Sequence, residues 1–241
     1  MPPYRMNEPS VAPFVVIPVL LAMALTWAAF IAWRRGGASE SSARRATVTT
    51  GAATAAWMAL TWFAAASGVL GKWEATPPPF ALLVLGVIVV SVTLSFGPLG
   101  TRIAQEIPLW VLIAVQGFRV PLEIAMHALV ARGIMPVQMS YSGRNLDIVS
   151  GATGVIVAAL LRAGIGGRWL AGVWNVLGLA LLINVVTVAI VSTPRIRYFG
   201  DDRVVTFVTY VPFVWLPAVM VLAALAGHLA IFRALARRQR V

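Results

Sequence analysis

Long apolar runs separated by short polar connectors make up this chain, with no residue-by-residue alternation of the kind a half-buried strand would show. Seven runs, near 11–33, 47–70, 79–97, 108–131, 147–161, 169–192 and 205–232, are long enough, or nearly so, to cross about 30 Å of hydrocarbon as helices. The fifth, DIVSGATGVIVAALL, is the weakest, being short and opening on an acid. The pattern predicts an all-α polytopic membrane bundle of seven transmembrane helices forming one domain over 1–241. No internal repeat or domain-separating linker interrupts it. GGASESSA (36–43) reads as a flexible turn, and TPPPF (76–80) as a stiff one whose last prolines can open the third span, where a missing amide donor costs little.

Composition places the pattern in a bilayer. Of 241 residues, 60% are hydrophobic and only 11% charged, and the mean hydropathy is +0.87, outside the range of soluble domains. The net charge of +11 would suggest nucleic acid in a soluble protein. Here the basic residues sit in short clusters between apolar runs, so they read as topology signals and as attraction to membrane lipids, with no nucleic-acid partner expected. Arg34, Arg35, Arg44, Arg45, Arg102, Arg162, Arg168, Arg233, Arg237, Arg238 and Arg240 fall on one side. Arg5, Lys72, Arg132, Arg144, Arg195, Arg197 and Arg203 fall on the other. The positive-inside rule then predicts the N-terminus outside and the C-terminus inside. The first span carries its positive charge after the apolar run and reads as an uncleaved anchor. Trp33, Trp73, Trp110 and Trp169 fall at expected span ends, where amphipathic rings favour the interface.

The fourth run breaks the apolar pattern. In FRVPLEIAMHALV (118–130), Arg119, Glu123 and His127 stand four apart on one helical stripe, which Gln116 extends inward. Charged groups at mid-membrane cost roughly 2.5–3.5 kcal/mol each on insertion scales, so they face a bundle interior and find partners. Arg119 and Glu123 are within reach of an i, i+4 pair. Pro121 cannot donate to the carbonyl of Gly117, which predicts a locally open, kinkable helix. Two readings stay open: an internal ion pair that fixes helix packing, and a ladder lining a cavity open to the outer face.

The order of the spans favours the cavity. Asn145 and Asp147, with Tyr141 and Arg144 in the loop before them, are expected at the outer mouth of span five. Asn184 and Thr187 fall in the outer half of span six, and Thr206, Thr209 and Tyr210 in the first turns of span seven. The inner half offers Asn175, Thr26, Thr54 and His228. Plainer roles are available for several of these. Asn145 and Asp147 can cap span five, Asn184 can bind neighbouring helices together, Asp201 and Asp202 suit a solvated loop, and His228 suits the inner interface.

Several chemistries are excluded. There is no cysteine, hence no disulfide, thiolate catalysis or iron–sulfur cluster. The only lysine, Lys72, lies in an outer turn and cannot form an intrahelical retinal Schiff base. Two histidines, His127 and His228, are too few for a ceramidase-type zinc site. Their expected depths, outer and inner, prevent them from sharing one haem. Glu123 and His127 beside Asp147 make an incomplete metal set, so no metal is assigned and the sequence identifies no cofactor. Phosphate-binding loops, nucleophile elbows and protease motifs are lacking.

FRVPLEIAMHALVARGIMPVQMSYSGRNLDIVSG (118–151), WNVLGLALLINVVTVAIVSTP (174–194) and FVWLPAVMVLAALAGHLAIFRAL (213–235) together resemble a family of uncharacterised bacterial integral membrane proteins, with FRxPxExxxH and GRNxDIxxG as the specific parts. The resemblance covers about the second half of the chain. It implies a multi-pass protein of the bacterial plasma membrane and adds weight to Arg119, Glu123, His127, Asn145 and Asp147 as a set, without implying a reaction. The residues themselves leave three functions: a protein that binds, senses or transports a small ligand, ion or proton; a membrane-embedded enzyme acting on a lipid or isoprenoid; and an accessory subunit with a membrane-protein partner.

Overall fold

The computed structural model describes residues 9–237; Arg5, Arg238 and Arg240 of the topology argument lie outside the described residues. The fold is all-α. Its helices are α1 (Pro13–Arg35), α2 (Glu40–Ala66), α3 (Pro79–Phe96), α4 (Pro98–Glu106), α5 (Leu109–Ala131), α6 (Asp147–Arg162), α7 (Gly167–Val191) and α8 (Leu216–Ala236). Five of them, α1, α3, α5, α7 and α8, are long and apolar enough to cross a membrane. The other two expected spans coincide with helices of a different character. α2 has 27 residues but opens on the polar ESSARRATVTT, and α6 has only 16, about 24 Å at 1.5 Å per residue.

Local chemistry explains the boundaries. α2 begins inside the stretch expected to be a flexible turn, because Ser39 accepts a hydrogen bond from the Ser42 amide at 3.3 Å and Glu40 pairs with Arg44 one turn on at 2.7 Å. The turn shrinks to the residues between Arg35 and Glu40. Pro79 opens α3, as the missing donor allows. α5 is helical over Leu109–Val115 and Arg119–Ala131, with a tighter 3-10 turn at Gln116–Phe118. That turn lies where Pro121 leaves the Gly117 carbonyl without its usual donor.

The seventh span starts later than expected. Residues 205–214 are largely apolar but not helical, apart from a 3-10 turn at Phe207–Thr209, and α8 runs from Leu216. Pro212 and Pro217 interrupt the amide ladder there. The first turns of α8 form a wide π-helix, Leu216–Val221, and two indoles from the α2–α8 contact stabilise it. Trp57 Nε1–H donates to the Ala218 carbonyl at 2.8 Å, and Trp215 Nε1–H donates to the Met58 carbonyl at 3.1 Å.

α8 is the centre of the bundle, with α3 and α7 packed against it; α5 packs on α6, and α6 on α7. Nine of the described arginines, Arg34, Arg35, Arg44, Arg45, Arg102, Arg162, Arg168, Arg233 and Arg237, collect at one end. Arg102 lies over the Trp33 ring, Arg162 over Trp110 and Arg233 over Phe96, at 4.9–5.1 Å, and Arg168 donates to the carbonyls of Leu235 and Arg237. Opposite them, the segments 132–146 and 192–215 form a cap. Buried Gln138 ties the two together by donating to Ser192 Oγ at 3.1 Å and to the Arg203 carbonyl at 2.7 Å. The main hydrophobic core, including Phe14, Leu122, Met126, Phe213 and Met220, lies beneath this cap.

Candidate functional site

Arg119 is the hub of a buried polar network at mid-depth. Arg119, Gly178 and His228 stand 10, 11 and 8 residues from Leu109, Gly167 and Ala236, helix ends that share the arginine-rich side. At 1.5 Å per residue these offsets are roughly 12–17 Å, close to the centre of a hydrocarbon layer about 30 Å thick. Arg119 is 1% exposed. One terminal nitrogen donates to Asp147 Oδ1 at 3.0 Å and to Ser150 Oγ, and lies 3.5 Å from the Gly178 carbonyl. The other stands 3.0 Å from His228 Nε2. The stripe therefore does not close on itself: the cation pairs with Asp147 across to α6 rather than with Glu123 on its own helix.

These contacts define the histidine. A guanidinium only donates, so His228 Nε2 accepts and the ring is neutral with its proton on Nδ1. Nδ1–H donates to Asn175 Oδ1 at 2.7 Å, and the Asn175 amide donates to the His228 carbonyl at 3.1 Å. Helix approach requires a small residue at 178. A Cβ there would meet His228 Cε1 at 2.6 Å and Ser150 Oγ at 2.9 Å.

Glu123 is 2% exposed. Its Oε1 accepts from Asn145 Nδ2 at 2.7 Å, and the same amide nitrogen donates to the Met139 carbonyl at 2.9 Å. Asn145 Oδ1 in turn accepts from the Asp147 backbone amide at 3.0 Å, satisfying the N-terminus of α6. One asparagine thus anchors the cap, starts α6 and holds the acid. Glu123 Oε2 and Arg119 Nε have no hydrogen-bond partner among the described residues. Both side chains, with Asp147, line a cavity of about 90 Å³ whose other walls are apolar, from Phe80, Leu122, Met126, Val185, Val208 and Met220 among others.

The remaining expected residues are placed elsewhere. His127 stacks on Tyr141 with ring centres 4.6 Å apart, and its Nδ1 lies 3.2 Å from Ser142 Oγ on the cap. Asn184 donates to the Arg144 carbonyl at 2.7 Å, and Arg144 covers the Phe199 ring at 5.6 Å; both line a separate surface recess. Tyr210, expected in the first turns of the last span, lies before α8 and is 38% exposed. The late start of α8 explains this. It also corrects the position of His228, which is fully buried beside Arg119 rather than at the inner interface. No group of three or more histidine and carboxylate side chains that could hold a metal occurs among the described residues.

Sequence reasoning missed Ser150, Asn175 and His228 as members of the network. For Asn175 and His228 the signal was a lone polar residue in an apolar helix, as in WNVLGLALL and LAGHLAIF. Fold and site together define a multi-span membrane protein with a buried polar network. No protein-family model, curated protein or solved structure matches the chain.

Proposed function

We propose that the protein binds a small polar ligand, an ion or a proton inside the membrane, for sensing or transport, at the cavity beside Glu123 and Arg119. The observation that carries this reading is the pair of unpartnered polar atoms, Glu123 Oε2 and Arg119 Nε, on side chains that line one cavity. A packing device would leave neither open, because each unmade buried hydrogen bond costs about 1–3 kcal/mol. A bound species that donates to the carboxylate and accepts from the guanidinium would satisfy both. About 90 Å³ exceeds the roughly 10–15 Å³ needed to hold one water and is well below the roughly 300–1,000 Å³ of drug-sized sites. This size argues against a hydrocarbon tail seated at the ladder.

The arrangement we favour has seven crossings, as the apolar runs predict, in a bacterial plasma membrane, as the sequence resemblance implies, with α2 and a short α6 completed by the 132–146 segment as the two additional ones. Non-helical backbone is tolerated at such depth when it is buried in protein, as Met139 and Asn145 are. The arginine-rich end would face the cytoplasm, and the cap, with His127 and Tyr141, would face outward over the site.

Glu123→Gln tests the reading. In proteoliposomes loaded with a pH-sensitive dye, and in native mass spectra of the purified protein, the variant should lose proton flux or the co-purifying small ligand while yield and monodispersity stay at wild-type levels. Unchanged flux and ligand retention in a folded Glu123→Gln protein would overturn it.

A further inference from the structure

A second cavity, on another side of α8, has a different chemistry. It measures about 420 Å³, within the roughly 300–1,000 Å³ typical of organic ligands, and lies between α1, α2, α3, α4, α5 and α8. None of its wall residues is charged; Leu25, Trp57, Leu94, Leu112 and Leu222 are typical of them. Thr49, Thr50, Thr54 and Ser95 add hydroxyls to the wall, and one further polar group stands out because it is unpartnered. Gln116 is 1% exposed, lines this space, and its Oε1 has no hydrogen-bond partner among the described residues. Gly227 leaves room for the amide, since a Cβ there would overlap Gln116 Nε2. The 3-10 turn Gln116–Phe118 divides the two sites: Gln116 lines this cavity, whereas Phe118 and Arg119 line the charged one.

We propose that this cavity binds a neutral hydroxyl-capped hydrocarbon, such as a long-chain or prenyl alcohol, with its hydroxyl donating to Gln116 Oε1 and its chain along the apolar wall. Burial of the chain supplies the affinity, and the buried, unpartnered Gln116 Oε1 selects the head group. An anionic head, such as a phosphate, would find no cation in the wall and would add a charge to a low-dielectric site.

The full-length protein in lipid nanodiscs tests this with farnesol, its hydrocarbon counterpart farnesene, and farnesyl diphosphate as probes, read by equilibrium binding. Wild type should bind farnesol about tenfold more tightly than farnesene, the ratio expected when one buried acceptor is satisfied or left open, and more tightly than the diphosphate. Gln116→Leu should reduce the farnesol-to-farnesene ratio to about one while retaining farnesene binding, which reports a folded cavity. Ala223→Phe, placing a ring in the space, should weaken both neutral probes. Glu123→Gln should change none of these values, which separates this site from the charged one. Equal binding of farnesol and farnesene by wild type, a ratio unaffected by Gln116→Leu, or preference for the diphosphate would each overturn the proposal.

Discussion

Removal of Asp147 should expose how the network is held. The Arg119 and Asp147 side chains are 1% and 7% exposed, so solvent screening offers little relief. In Asp147→Ala the guanidinium keeps only neutral partners: Ser150, the Gly178 carbonyl and His228. Truncating one member of a buried pair costs about 3–5 kcal/mol, mostly from the stranded charge. Arg119→Met should cost a similar amount by stranding Asp147. The double variant Arg119→Met/Asp147→Ala leaves neither charge, so its loss should fall short of the sum of the singles by about 2 kcal/mol or more. Among the described residues Glu123 is the acid left near Arg119 in the Asp147→Ala background, and adding Glu123→Gln there should cost more than it does in wild type. Equilibrium unfolding in mixed detergent–SDS micelles reads all of these. Additive single losses, each under about 1 kcal/mol, would refute the hub.

Three further outcomes follow from other contacts. Gly178→Ala should destabilise by about 1–3 kcal/mol, because the added methyl meets His228 Cε1 and Ser150 Oγ at 2.6 and 2.9 Å; the same unfolding measurement checks it, and an effect no larger than that of an alanine substitution at lipid-facing Val176 would contradict it. His228→Leu leaves one Arg119 nitrogen and Asn175 Oδ1 short of a partner and should cost about 2–3 kcal/mol, with His228→Gln recovering part of the loss. Trp57→Phe removes the donor to the Ala218 carbonyl in the π-helical turn, and hydrogen exchange at residues 216–222 should rise while α7 is unaffected.

The sequence made the polar stripe of α5 legible because three charged or titratable letters in an apolar helix carry an insertion cost that needs an explanation. It also marked Asn145, whose side chain bridges the cap, α6 and Glu123, and Asp147, whose carboxylate pairs with Arg119. The partner of Arg119 was not legible: helical periodicity offers Glu123 four residues away, whereas choosing Asp147 depends on how α5 packs against α6. The start of the last helix was misplaced because VVTFVTYVPFVW has the composition of a span, and hydropathy cannot separate a buried irregular segment from a helix. Pro212 was the available signal. Moving that start from 205 to 216 carries His228 from an interface to the centre of the bundle and removes Tyr210 from it. Gln116 was legible only as an extension of the stripe; that it faces a second cavity depends on the 3-10 turn.

The most direct test of the intramembrane binding site is an experimental density map of the purified protein at a resolution that shows ordered solvent. The account predicts non-protein density between Glu123 Oε2 and Arg119 Nε, within hydrogen-bond distance of both, and its loss or displacement in Glu123→Gln. A dry site in which Arg119 Nε and Glu123 Oε2 bond directly to each other would contradict it and leave the network a packing device.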